Sequence, residues 1–317
     1  MKVFIQRKTA TLTFTFLLLL IFGACQGSQP PQGEKHLTED AYLRWCPGNE
    51  NLPIFTTERD IFIFEETVTD ITYDVEPGIA TPDLLITIAR KFLNTPYVAH
   101  TLETEESEQL VINLREMDCT TFVEYMLSMT LIIQYGDSTF WDFAQTLACI
   151  RYRDGIIDQY PSRLHYFSEW LQSNTDKGIL TLISNELGTA PFDSHVHFMS
   201  SNPQLYRQLA EPEFVSKIKE AEKGVSTYQL NYIPKDRIES LESSIMDGDI
   251  IAFTTNIDGL DVSHTGFALH QNGRLHLLHA STRTNTVEIT PVPLSKYLQP
   301  MRRVTGILVA RMAHQQN

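Results

Sequence analysis

Residues 263–281 read Ser-His-Thr-Gly-Phe-Ala-Leu-His-Gln-Asn-Gly-Arg-Leu-His-Leu-Leu-His-Ala-Ser, and this stretch decides the fold. Two apolar runs flank Asn272-Gly273, the strongest short-range signal for a β-hairpin. With a two-residue turn, Gln271 faces Arg274 and His264 faces Ser281. Strand side chains alternate, so residues 279 and 281 share a face. His264 and His279 thus become same-face diagonal neighbours, roughly 7–8 Å apart at the backbone. His270 shares the face about 20 Å further along at ~3.4 Å per residue, and His276 points to the other side. Gly266 and Ala268 are small and leave room above His264. A one-residue slip would part the two histidines.

Outward from the hairpin, a period of two continues. Strands are expected at Tyr228–Tyr232, Asp249–Thr254, Ser263–His270, Leu275–Ala280 and Arg303–Met312. Before about residue 226 the apolar spacing is helical. Thr81-Pro82-Asp83 opens a helix, with Pro at the first helical position. Further helices are expected from Cys119 to about Tyr135, Asp137 to Ile150, Leu164 to Gln172, and one or two between Pro203 and Lys223. Helices followed by an antiparallel meander indicate an α+β fold.

Cys119 lies in Met117-Asp118-Cys119-Thr120-Thr121-Phe122-Val123-Glu124, at the start of an amphipathic helix. Unpaired N–H groups and the helix dipole favour a thiolate there, so its pKa is expected to fall. Asp118 can cap that helix. Cys119, His264 and His279 together supply a nucleophile, a general base and a group that orients the base. Taken singly, each has a plainer reading: a small buried hydrophobe for the cysteine, unrelated strand residues for the histidines.

Composition narrows the field. The 317 residues hold 25 Lys+Arg against 39 Asp+Glu, a formal charge of −14. That balance argues against nucleic acid as the main partner. Four cysteines cannot scaffold a chain of this length. Acidic surfaces suit the handling of sugars and peptides, but charge alone names no substrate.

The first residues stand apart. Lys2, Arg7 and Lys8 precede an apolar run from about Thr11 that ends in Phe22-Gly23-Ala24-Cys25. We read residues 1–24 as a lipoprotein-type signal peptide and Cys25 as the lipid-bearing residue. Residues 25–37 are then a flexible tether, and 38–317 a single catalytic domain with its helical part at about 80–225 and strand part at about 226–312. Removing 1–24 deepens the charge to −17. The chain is expected to be an exported bacterial lipoprotein, periplasmic and attached to the outer membrane.

Asp118–Phe122, Ser263–Leu269 and Leu278–Ser281 resemble the three signature blocks of the NlpC-type cell-wall cysteine peptidases. Leu93-Asn94-Thr95-Pro96-Tyr97 resembles the segment that supplies that superfamily's active-site Tyr. The likeness is closer to its N-acetylmuramoyl-L-alanine amidase-like branch, which also has counterparts of Arg163–Trp170, and it covers roughly residues 80–312. Asn94 and His100 stand where glycine is expected.

The resemblance implies a circularly permuted papain-like fold, with Cys119 as nucleophile, His264 as base and His279 as orienter. It places Tyr97 near the oxyanion or substrate. The substrate-binding set is Tyr97, Asp118, Arg163, His165 and Tyr166, the last three on one helix. It also implies cleavage of the amide between N-acetylmuramic acid and L-Ala in peptidoglycan fragments, anhydro-muropeptides among them, without metal or cofactor.

Rival readings remain. One is an endopeptidase cutting between D-Glu and the diamino acid of the stem; another is a silent murein-binding lipoprotein; a third is a zinc hydrolase using His195 and His197. Cys46 and Cys149 either pair or stay as buried thiols. Phe140, Trp141 and Phe143 read as core, and Glu103–Glu108 as a solvated loop.

Overall fold

The computed structural model describes residues 51–313, apart from 77, 105, 106, 137 and 194. The expected signal peptide, lipid-bearing Cys25 and tether, and Cys46, lie outside the described residues. A parallel strand pair, β1 (Ile54–Phe55) and β2 (Leu110–Val111), and two helices precede the helix of Cys119. Helix α1 (Glu58–Asp74) starts on a capping box in which Thr57 and Asp60 exchange hydrogen bonds. Helix α2 (Thr81–Lys91) has Pro82 in its first turn, as its sequence requires.

Helix α3 (Cys119–Gln134) is the central pillar, buried on every side from Thr121 to Ile132. A helix apolar all round belongs in the interior. Its one acid there, Glu124, is neutralised by the buried Arg151, Nε to Oε2 at 2.7 Å. Arg151 ends helix α4 (Phe140–Arg151), which begins on the Thr139 cap rather than at Asp137.

The sheet runs β4-β5-β10-β6-β7-β8-β9, with β3 (Leu180–Thr181) pairing off this path to β10. The strands are β4 (Ala190–Phe192), β5 (Leu230–Pro234), β6 (Ile250–Thr255), β7 (Val262–Gln271), β8 (Arg274–Ser281), β9 (Thr286–Ile289) and β10 (Val304–Met312). Every pairing in it is antiparallel. The chain is therefore α+β, helices before strands, with β3 and β4 inside the helical part.

The β7–β8 register is the expected one. Gln271 pairs with Arg274 and Phe267 with Leu278. Asn272 and Gly273 take φ of 52° and 74°, the left-handed pair that a two-residue turn demands. Successive residues then go to opposite faces. Phe267, Leu269, Leu278 and Ala280 join the core beneath α3, where Phe122 and Phe267 meet at 5.6 Å. Ala268, Leu275 and Leu277 pack on the far side against the short helix α7 (Leu294–Leu298).

The helix expected at Leu164–Gln172 needs correction. Helix α5 there is Phe167–Asp176, and Arg163 is extended. Leu164 N–H donates to the Arg151 carbonyl at 2.9 Å and Tyr152 bridges Arg163, so backbone pairing to the end of α4 outweighs helical propensity. Between Pro203 and Lys223 the expected one or two helices are one, α6 (Pro212–Val225), opened by Pro212 after two 3₁₀ turns.

Candidate active site

Asp118 is the N-cap of α3. Its Oδ1 accepts from the Thr121 N–H at 2.8 Å and the Thr121 hydroxyl at 2.9 Å, while Asp118 N–H donates back to that hydroxyl at 2.9 Å. The cap fixes the first turn and so the direction of Cys119. The residue is partly exposed, and the Thr265 backbone N–H, the Thr120 hydroxyl and the residue's own N–H are donors to its sulfur. These donors lower the thiol's pKa, yet burial and the Asp118 carboxylate outweigh them and push it up to about 12. The thiolate expected from the helix start is thus not the resting state. Desolvation beats the helix end here, and the thiol keeps its proton until a base removes it.

The base stands next to Thr265. β7 carries a bulge at this point: Phe253 pairs with His264 but Thr254 with Val262. A bulge re-aims the side chain beside it. His264 Nε2 lies 2.6 Å from His279 Nδ1, and the rings are nearly perpendicular. Gly266 makes this possible, because a Cβ there would sit 2.7 Å from the Cβ of His279. Phe253 and Tyr297 wall the pair, at 5.3 Å from His264 and 5.8 Å from His279. Burial lowers His264 to about 4, and burial with the charge of His264 lowers His279 to about 2. Both rings are neutral near pH 7, so each keeps one proton and one lone pair.

Tyr97 completes the group. Segment 94–97 adds itself to the edge of β9: Asn94 N–H donates to Val287 O, Val287 N–H to Thr95 O, and Tyr97 N–H to Asn285 O, at 2.9, 2.8 and 2.8 Å. Tyr97 also bridges Met117, which sets its half-buried ring beside Cys119. Burial pushes its hydroxyl up to about 12, with the charges of Cys119 and Asp118 adding to the rise, so it stays a donor. Asn94 and His100 adopt φ of 70° and 62°, the left-handed conformation for which glycine was expected.

The other sequence-derived candidates occupy different places. Arg163 is not helical; its guanidinium is buried and spent on Glu108 at 2.7 and 3.0 Å, with Glu103 at 3.4 Å. Glu108, 4% exposed, also accepts from the Tyr152 hydroxyl at 2.7 Å. The Glu103–Glu108 stretch is therefore not simply a solvated loop: its last acid is an internal clamp. His165 sits before α5, with Nε2 2.9 Å from the Tyr160 carbonyl, and burial keeps it well below the usual histidine range. Tyr166 is buried, its hydroxyl donating to Glu222 at 2.7 Å and accepting from Met199 N–H at 2.9 Å. His195 and His197 have ring centroids 5.6 Å apart, and His197 contacts Ser201 and Asp258. Among the described residues no group of three or more His, Cys, Asp or Glu is arranged to hold a metal ion. Cys149 is disulfide-bonded.

Sequence reasoning missed two supports of the site. Asp261 accepts from Ser168 N–H and its hydroxyl, both at 2.7 Å, tying the start of α5 to the start of β7. Glu288 pairs directly with His279 across the β8–β9 ladder. The alternation Thr-Val-Glu-Ile after Asn285 was the available signal for β9.

Comparison with known proteins follows the same direction. A family described as N-acetylmuramoyl-L-alanine amidase-like matches residues 87–307. An N-acetylmuramoyl-L-alanine amidase from Bacteroides uniformis is 42% identical with a TM-score of 0.71, over 74% of this chain and 99% of that one. A Bacteroides fragilis protein provisionally named a xylanase is 44% identical with a TM-score of 0.68, over 71% and 98%. A Legionella pneumophila protein, 21% identical over 81% and 95% with a TM-score of 0.60, shares the fold. No curated protein matches the chain.

Proposed function

The chain belongs to the N-acetylmuramoyl-L-alanine amidase-like family, and from that premise we propose that it is a cysteine amidase. It hydrolyses the amide joining N-acetylmuramic acid, in its anhydro form, to L-Ala in peptidoglycan fragments. The observation that carries this reading is the 2.6 Å His264–His279 contact, placed one residue from the Thr265 N–H that touches the Cys119 sulfur.

His264 Nε2 is engaged with His279, so Nδ1 receives the thiol proton. The sulfur attacks the lactyl carbonyl as that proton leaves. The Cys119 N–H and the Tyr97 hydroxyl hold the oxyanion. His264 returns the proton to the departing L-Ala nitrogen, which frees the peptide and leaves a thioester on Cys119. His264 then takes a proton from water, whose oxygen attacks the thioester; the sulfur leaves and regains the proton. Because the resting thiol is neutral, His264 is needed in both halves.

A xylanase would need two carboxyl groups flanking a glycosidic bond. Here Asp118 spends Oδ1 on Thr121 and Glu288 lies behind His279, which favours the cysteine chemistry. The helix-before-sheet order supports a circularly permuted papain-like arrangement of the NlpC type, with 38–317 as one catalytic domain. Residues 1–24 act as the signal and Cys25 as the lipid anchor of an exported, periplasmic lipoprotein on the outer membrane. The disulfide of Cys149 fits an oxidising compartment.

The test is to incubate residues 26–317 and the Cys119→Ala variant with defined muropeptides and read products by mass. Cys119-dependent release of an intact peptide starting at L-Ala supports the amidase. A cut within the stem selects the endopeptidase, and no product from any fragment leaves a binding protein.

A further inference from the structure

We propose that Glu288 is a positioning residue of this site: its carboxylate accepts the Nε2 proton of His279 and so fixes the tautomers of both histidines. The proposal rests on the proton path through Cys119 and His264 set out above.

The argument is one of proton counting. The 2.6 Å contact between His264 Nε2 and His279 Nδ1 needs one hydrogen and one lone pair. To receive the thiol proton, His264 must carry its lone pair on Nδ1 and its hydrogen on Nε2. His279 must then offer a lone pair at Nδ1, which puts its own hydrogen on Nε2. That nitrogen is buried and has no hydrogen-bond partner among the described residues. Glu288 Oε1 stands 3.9 Å from it.

An unsatisfied buried N–H is unfavourable, so without an acceptor the other tautomer wins. His279 would then donate from Nδ1, His264 would hold its hydrogen on Nδ1, and the thiol proton would have no place to go. Glu288 removes this trap. It faces His279 directly in the ladder, where opposed Cβ atoms are about 4.5–5.5 Å apart, so a side-chain rotation closes the gap. Its strand is clamped between β8 and segment 94–97. Among the described residues, the titratable and charged groups that face the pair are Glu288 from β9 and Tyr297 from α7, with Arg283 over the Tyr297 ring at 5.3 Å. Of these, Glu288 is the carboxylate opposite His279.

The test needs no substrate, so it stays informative even if the amidase reading fails. Histidine ¹⁵N spectra give the tautomers in the wild type, Glu288→Gln and Glu288→Leu, and iodoacetamide alkylation gives the pH profile of Cys119. The wild type should show His279 with its hydrogen on Nε2, and Glu288→Gln should keep it, since the amide oxygen still accepts. In Glu288→Leu the hydrogen should move to Nδ1. Alkylation near pH 7 should then fall about a hundredfold, the lower end of what a positioned general base contributes. The remaining rate should climb only with the thiol's own titration. Unchanged tautomers and an unchanged alkylation profile in a folded Glu288→Leu variant would overturn the assignment.

Discussion

Substituting Gly266 by alanine tests how tightly the histidine pair is set. The added Cβ would lie 2.7 Å from His279 Cβ and 2.8 Å from the Leu278 carbonyl oxygen. Ordinary contact begins near 3.4 Å, so something must move by at least about 0.7 Å. The carbonyl belongs to the ladder and the His279 Cβ is fixed to its backbone, so relief needs β7 and β8 to part locally, which carries the His279 ring with them. Overpacking of this kind destabilises by about 1–3 kcal/mol. The catalytic effect should be larger than the stability effect, because a displacement near 1 Å in a reacting group reduces rates about 10²-fold. We expect kcat/KM on a muropeptide to drop by about two orders of magnitude at a temperature where the variant is folded by circular dichroism. Gly136→Ala is the control: φ of 79° makes the substitution strained by about 1–2 kcal/mol, but nothing lies within 4 Å. Its Tm should fall while its rate stays. Wild-type kcat/KM in folded Gly266→Ala, or an equal rate loss in Gly136→Ala, would refute the reasoning.

Three further expectations concern charge and chemistry. Both histidines are held below their unfolded value near 6.5, so the unfolded chain binds more protons as pH falls; their contribution is full above pH 6.5 and lost on falling through about 4. Thermal unfolding of the His264→Gln, His279→Gln double variant should therefore depend less on pH between 6.5 and 4 than that of the wild type; parallel curves would contradict this. Arg163→Met leaves Glu108 buried without its cation and should lower stability by about 3–5 kcal/mol while leaving KM unchanged where the protein is folded. A selective rise in KM would return Arg163 to the substrate. Iodoacetamide should abolish turnover and EDTA should leave it intact, since His264 and His279 engage each other's facing nitrogens; chelator sensitivity would count against the thiol mechanism.

The central hairpin was legible because three local rules agreed on it: Asn-Gly at the turn, alternation along both strands, and a small residue opposite His279. Cys119 was legible as a helix start because Asp118 and Thr121 form a cap within four residues. The state of its thiol was not, since desolvation depends on what the fold brings over it. Arg163, His165 and Tyr166 looked helical because the run into Trp170 is apolar at the right spacing. Their true conformation is set by backbone bonds to residues 151, 152 and 160, and no spacing reveals these. Helix α1 went unnoticed although Thr57 and Asp60 spell a capping box. β9 went unnoticed because four residues carry too little pattern, and Glu288 went with it.

The most direct measurement is the mass of the protein itself, rapidly quenched during turnover of an anhydro-muropeptide and then digested. The account predicts a transient acyl group of the sugar-lactyl half on the peptide containing Cys119, absent after iodoacetamide treatment. An adduct made of stem peptide, or continued product formation with Cys119 blocked, would contradict it.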